Sequence, residues 1–258
     1  MRPATKFGLA AFLVLSLGAA AADARSFDAI KQRGALALCA HPNALPFANK
    51  KGDPPGFQVE LGQALAERLG VSLMQHWVTN SFQYRRADCD IVLDAIANKA
   101  ALSEVGLRMS RPYYRSGVAL AVRRESDLSS LASVGPERRV GALVGSLASM
   151  TLDRRNIAVS PFVFEDEMLG ALARGEIEAA AVTPSAIGWH NMKNPGAAVR
   201  RIPAFEDDPD LSWNVAVGMM RPDEKLMQRV DAALGDMLTD GTITRIYARY
   251  GIELQPPR

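Results

Sequence analysis

The sequence predicts an α/β protein of two lobes, each a largely parallel sheet flanked by helices. Three observations carry that expectation. Strand and helix signals alternate along the chain, as βαβ units do. The alternation runs twice over, once in each half. No Pro/Gly/Ser-rich linker separates the halves, so crossing strands rather than a flexible tether should join them.

Before the first unit, Arg2 and Lys6 precede an uncharged run from Phe7 to Ala22, and Ala22-Asp23-Ala24 follows. Basic, apolar and small, in that order, read as a signal peptide over residues 1–24. The apolar run is short for a spanning helix of roughly 20 residues, although an uncleaved anchor is the other reading. No cysteine stands at the cleavage point for a lipid anchor. The mature chain is then expected to start near Arg25, outside the cytoplasm.

Ala35–Cys39 reads as a short buried strand. Gly56 opens an amphipathic helix whose apolar positions Phe57, Leu61, Ala64, Leu65 and Leu69 follow helical spacing, and Gly70 is a suitable stop. Val71–Trp77, Cys89–Leu93 and Gly117–Val122 read as further strands. In the second half Arg139–Leu143 is a strand and Gly145-Ser146 opens a helix. Asp166–Arg174 is a helix ended by Gly175, with Ile177–Val182 a strand after it. Trp213–Met219 is another strand. Pro222–Leu238 is a long helix with Gly241 beyond it, and Thr242–Tyr250 is a last helix ended by Gly251. Arg124–Pro136 is the loosest stretch, and Pro203–Asp210 an acidic loop.

The 258 residues carry 30 basic and 28 acidic groups, and the mature chain 28 against 27. That balance excludes nucleic acid or an anionic membrane as the obvious partner. His41, His76 and His190 are scattered, so neither a metal nor another cofactor is expected. No nucleophile, base and orienting group stand in a recognisable set, so the chain is expected not to be an enzyme. His41 near Asp94 is the one acid/base pair worth considering. Cys39 and Cys89 lie beside expected neighbouring strands, and export favours a disulfide over two buried thiols.

Several motifs occur in a fixed order: Pro46-Phe47, Gly56-Phe57, Trp77, Cys89-Asp90-Ile91-Val92, Ser110-Arg111-Pro112-Tyr113-Tyr114 and Val140-Gly141 with Gly145-Ser146. Leu169, Leu172 and Gly175-Glu176-Ile177-Glu178-Ala179 follow, then Asp240-Gly241-Thr242, Ile246-Tyr247 and Tyr250-Gly251. Together they resemble the family 3 periplasmic solute-binding proteins of amino-acid ABC importers. The resemblance implies a type II periplasmic binding protein fold. It places lobe 1 at residues 25–118 and 218–258, lobe 2 at 119–217, and crossings near Gly117–Val122 and Trp213–Val217. It implies a monomer that captures a small-molecule ligand and hands it to an ABC permease.

Two departures bear on the ligand. The family's carboxylate-binding arginine should fall in Asn98–Ser103, where Lys99 is the only cation. An ammonium does not reproduce the bidentate guanidinium fork. The family's ammonium-binding aspartate should fall at Thr183, which is neutral. An ordinary α-amino acid is therefore not the expected ligand.

Leu38–Phe47, Cys89-Asp90 and Arg111–Ser116 are also similar to one offshoot, the accessory proteins of pyrroloquinoline-quinone-dependent methanol and alcohol dehydrogenases. That likeness implies partnership with a quinoprotein dehydrogenase and its cytochrome c instead. In either case ligand contacts are expected at the carboxyl ends of strands and at helix N-termini. Asn43, Phe47, Phe57, Trp77 and Asp94 are the candidates in lobe 1. Gly145, Ser146, Ser149, Thr183 and Trp213 are those in lobe 2 and the hinge. Phe57 and Trp77 read as core ahead of ligand contacts, while Asn43 is also readable as a turn residue and Gly145-Ser146 as a helix cap. Arg111 and Arg115 are either solvated surface or partner contacts.

Overall fold

The computed structural model describes residues 26–258 except 85, 98–106, 203, 206, 207 and 209. The expected signal peptide, the Asn98–Ser103 segment and most of the acidic loop lie outside the described residues. Among the described residues no helix is long and apolar enough to cross a membrane.

The first lobe starts with α1 (Phe27–Arg33), capped by the Ser26 hydroxyl accepting the Ala29 N–H at 3.1 Å and ended by left-handed Gly34. Neither cap was legible beside the expected cleavage site. Strand β1 (Ala35–Ala40) lies centrally, between β4 (Ser72–Trp77) and β5 (Ile91–Ile96), parallel to both. A small hairpin of β2 (Asn43–Ala44) and β3 (Ala48–Asn49) follows β1. Helix α2 (Phe57–Arg68) crosses back over the sheet, burying Phe57, Leu61 and Leu65 against Leu36 and Leu38. Gly56 has φ 95°, and a Cβ there would overlap the Phe47 carbonyl, so glycine is required where the hairpin abuts the helix.

Cys89 and Asp90 join the entry of β5 to β1. Cys89 is bonded to Cys39, with Cα atoms 5.5 Å apart. Asp90 is buried, pairs with Arg33, and accepts the Ala37 N–H at 2.7 Å. The expected disulfide is thus present, and its neighbour in sequence has a role of the same kind.

Strands β6 (Leu107–Met109) and β7 (Tyr114–Gly117) complete the first sheet by pairing with β13 (Ser212–Met220). The second lobe holds β8 (Ala119–Arg123), β9 (Val140–Leu143), β10 (Val159–Phe162), β11 (Ala179–Val182) and β12 (Val199–Ile202), in the order β10-β9-β11-β8-β12. Its helices are α3 (Leu147–Arg154), α4 (Glu165–Ala173) and α5 (Pro184–Lys193). Leu120 and Val122 of β8 face one apolar cluster, and Ala119 and Ala121 the other, so the strand is buried on both sides. Helices α6 (Glu224–Thr239) and α7 (Thr242–Ala248) return to the first lobe, where Leu234, Ile246 and Tyr247 close its core.

Two expectations are corrected. The sheets are mixed rather than largely parallel. In each, the strand that follows a crossing runs against the rest: β13 against β5, and β8 against β11. The boundary expected at residue 217 also cuts through β13, which belongs to the first sheet along its whole length. The strand signal over Trp213–Met219 gave no sign of where the chain changes lobe. The crossings are at Val118, whose N–H donates to the Leu211 carbonyl at 2.8 Å, and just before Ser212.

A candidate solute cleft between the lobes

Strand direction defines the cleft. Strand β13 begins beside the crossing, with Ser212 opposite Gly117, and runs antiparallel to β5, with Val215 opposite Ile96. The carboxyl ends of β5, β1 and β4 therefore point toward the crossing. In the second sheet Val182 lies opposite Ala119, so β11, β9 and β10 also end there. The loops after β1 and β4 thus face those after β9, β10 and β11 across the connecting segments. Open α/β sheets place their ligands at such ends.

On the first lobe, Asn43 is exposed in the hairpin, with its N–H bonded to His41 Nδ1 at 3.1 Å. Phe47 is half-buried, with its ring centroid 5.0 Å from that of Phe57. Phe57 is fully buried, 4.6 Å from the Tyr247 ring, and is core rather than cleft wall. Trp77 and Trp213 are half-buried and pack on the same core, so Trp213 belongs to the first lobe. The first two amides of α2 donate to the Pro46 and Phe47 carbonyls, both at 2.9 Å, which closes that helix N-terminus to an anion.

Asp94 is the structured centre of this side. Leu93 and Asp94 together face Val217, forming a β-bulge, and Asp94 has φ 53°. Its Oδ1 accepts the hydroxyls of Tyr113 at 2.9 Å and Tyr247 at 2.8 Å. Its Oδ2 is buried and meets no hydrogen-bond donor among the described residues. Burial pushes the Asp94 carboxyl above its ordinary range, against the opposing pull of the hydrogen bonds from Tyr247 and Tyr113. Burial and the nearby Asp94 charge raise the phenols of Tyr113 and Tyr247 well above theirs. Asp94 therefore joins β5, β7 and α7, and is not a free carboxylate reaching into the cleft. The imagined pairing with His41 has no counterpart in its hydrogen bonds.

On the second lobe, Gly145 is exposed and left-handed, and Ser146 caps α3 by accepting the Ser149 N–H at 3.1 Å. Thr183 caps α5 by accepting the Ala186 N–H at 3.2 Å. The Thr183 hydroxyl donates to Glu165 Oε2 at 2.9 Å, and its N–H donates to Oε1 at 2.5 Å. A carboxylate thus stands beside Thr183 after all, supplied in space by α4. Burial raises the Glu165 carboxyl, while the two Thr183 donors lower it. No sequence signal marked it, because Glu165-Asp166-Glu167 reads as the acidic first turn of a helix. Among the described residues, the direct links between candidates are Phe47 to Phe57 and Ser146 to Ser149. Among the described residues no three His, Cys, Asp or Glu side chains converge as metal ligands.

The lobes also touch beside the crossing. Gly188 of α5 abuts the Gly251 carbonyl with no room for a Cβ, and the Trp189 ring lies 5.6 Å from that of Tyr250.

Two α/β lobes of mixed sheets, doubly connected, with opposed strand ends, define a type II periplasmic binding protein fold. The chain belongs to the bacterial extracellular solute-binding proteins, family 3, whose family profile matches residues 36–253. Among curated relatives, the histidine-binding periplasmic protein of Salmonella typhimurium is 23% identical, with 95% of this chain and 96% of the relative aligned. Among solved structures, an ancestral cationic amino acid solute-binding protein, AncCDT-1, superposes with a TM-score of 0.74 at 21% identity, covering 87% of this chain and 99% of that one. The periplasmic binding protein XoxJ of Methylobacterium extorquens AM1 does so with a TM-score of 0.66 at 24% identity, covering 85% and 98%. These structural likenesses show the fold.

Proposed function

We propose that the protein is exported to the periplasm, captures a small solute between its lobes without transforming it, and passes it to an ABC permease. The opposed strand ends carry this reading, since loops on two doubly connected lobes can close over a solute. Capture requires a solute that binds the closed arrangement better than the open one. On this reading the ligand contacts are Asn43 and Phe47 on one side and Gly145, Ser146, Ser149 and Thr183 on the other, with Glu165 added. Phe57, Trp77, Asp94 and Trp213 support the first wall from behind.

The solute is not an ordinary α-amino acid. Glu165 offers a partner for an ammonium, but Asn98–Ser103 contains no arginine for the carboxylate. Burying an unpaired carboxylate near Glu165 costs several kcal/mol. Calorimetry with the common L-amino acids is expected to show no binding tighter than about 0.1 mM, or roughly −5.5 kcal/mol. Micromolar binding of any of them would overturn this assignment.

A second reading, support of a quinoprotein dehydrogenase and its cytochrome c, is favoured by one observation. The segments alike to those accessory proteins meet in one structural unit. Cys39 is bonded to Cys89, the ring of Phe47 packs on Phe57, and Phe57 packs on Tyr247. Tyr247 in turn packs on Tyr114 at 5.2 Å and shares Asp94 with Tyr113. The likeness thus falls on the architecture of the first lobe and leaves the second wall unassigned.

A further inference from the structure

The chemistry of the solute can be taken further, on the basis of the solute-capture reading. Val144, Leu147, Met150, Val163 and Phe164 are 67%, 49%, 49%, 68% and 49% exposed. Single exposed apolar side chains are ordinary on a protein surface, whereas a cluster of them marks a binding surface. These five come from the segments directly after β9 and β10. The two strands are in register, with Leu143 opposite Phe162, and the Val144 N–H donates to the Phe162 carbonyl at 2.9 Å. The segments therefore leave the sheet side by side, at the carboxyl ends that face the first lobe.

Glu165 follows Phe164 directly and is bonded to Thr183 at the end of β11. Its carboxylate has more acceptor sites than the two Thr183 donors use. Residues 143–150, 162–165 and 182–185, which form this rim, include no lysine or arginine. The rim therefore has an apolar floor, an acceptor at its inner end and no cation.

We propose that the cleft takes a solute with an apolar body and a hydrogen-bond-donating head that carries no negative charge. Val144, Leu147, Met150, Val163 and Phe164 hold the body. Glu165, oriented by Thr183, accepts from the head, which is an ammonium or a hydroxyl.

Calorimetry of the mature protein with straight-chain amines, alcohols and carboxylates from butyl to octyl tests this. Affinity for amines or alcohols is expected to rise about fourfold per added methylene. Octanoate is expected to bind at least about tenfold more weakly than the better of octylamine and octanol. Binding by the amine series identifies an ammonium head, and binding by the alcohol series a hydroxyl head. Replacing the exposed Leu147 and Phe164 together by serine is expected to weaken binding at least about tenfold and leave the melting temperature unchanged. Glu165→Gln is expected to weaken amines more than alcohols. Affinity independent of chain length, octanoate equal to the others, or full affinity in the double variant would overturn the proposal. If a sugar or another polar solute binds and stabilises the protein instead, capture stands and this inference falls. If no solute of any class stabilises it, capture falls as well.

Discussion

Replacing Cys39 and Cys89 together by alanine is expected to lower the unfolding free energy by about 3 kcal/mol. The bond closes a loop with a sequence separation of 50, for which the chain-entropy model gives roughly 4 kcal/mol, and engineered removals usually cost somewhat less. It lies in the first sheet between β1 and the entry of β5, and both cysteines are buried. Alanine avoids placing unsatisfied hydroxyls there. For a chain of this size the melting temperature should fall by roughly 6–12 °C, with the second lobe's sheet intact. Mass spectrometry of the exported protein, without reduction, should find the two cysteines linked. Free thiols in that sample, or a loss under about 1 kcal/mol, would contradict the structure.

Asp94→Ala is expected to cost about 3 kcal/mol, because it leaves the buried hydroxyls of Tyr113 and Tyr247 without their shared acceptor. Asp94→Asn retains an acceptor oxygen and tolerates the left-handed backbone, so it should stay within about 1 kcal/mol of the parent. The pH dependence separates the two states of the carboxyl. Unfolded Asp94 ionises near its ordinary value of 3.8, whereas the folded group, raised by burial, keeps its proton to higher pH. Between the two values the native state binds more protons than the unfolded one, so this contribution to stability falls as pH rises. It is fully present below 3.8 and lost once the pH passes the folded value. Urea unfolding from pH 3 to 8 should therefore show Asp94→Asn gaining on the parent through that window. A constant difference would mean that Asp94 ionises over the same pH range in the folded and the unfolded protein.

The parts of the fold legible in the sequence were those with strong local signals. Helix α2 had apolar spacing between Gly56 and Gly70, and β1 had its apolar run. The cysteine pair was expected as a disulfide from compartment and strand neighbourhood. The unread parts were those decided by pairing. Strands β6 and β7 are short, and β13 is one long strand whose two ends serve different partners. Helix α5 carries a readable start, Thr183 as cap before Pro184, which the strand ending at Val182 masks.

The candidate site was legible at the level of loops and less so at the level of atoms. Periodicity marked Phe57 as apolar, yet could not say that its ring points into the core toward Tyr247 rather than into the cleft. Asp94 was singled out by its place at a strand end, but the bulge that turns it inward depends on its register with β13. Glu165 reached Thr183 only through the packing of α4 against β11. The apolar rim was invisible for a related reason: Val144, Leu147, Val163 and Phe164 look like core residues until the sheet shows which loops stay exposed.

Solute capture for import and support of a quinoprotein dehydrogenase part most clearly in the cell. The direct measurement is a deletion strain complemented with the wild-type chain, assayed for uptake of small solutes and for alcohol oxidation during growth on methanol or another alcohol. The capture account predicts a specific uptake defect, restored by the wild-type chain, with normal quinoprotein dehydrogenase activity. Loss of that dehydrogenase activity with solute uptake intact would contradict it and assign the protein to the accessory role.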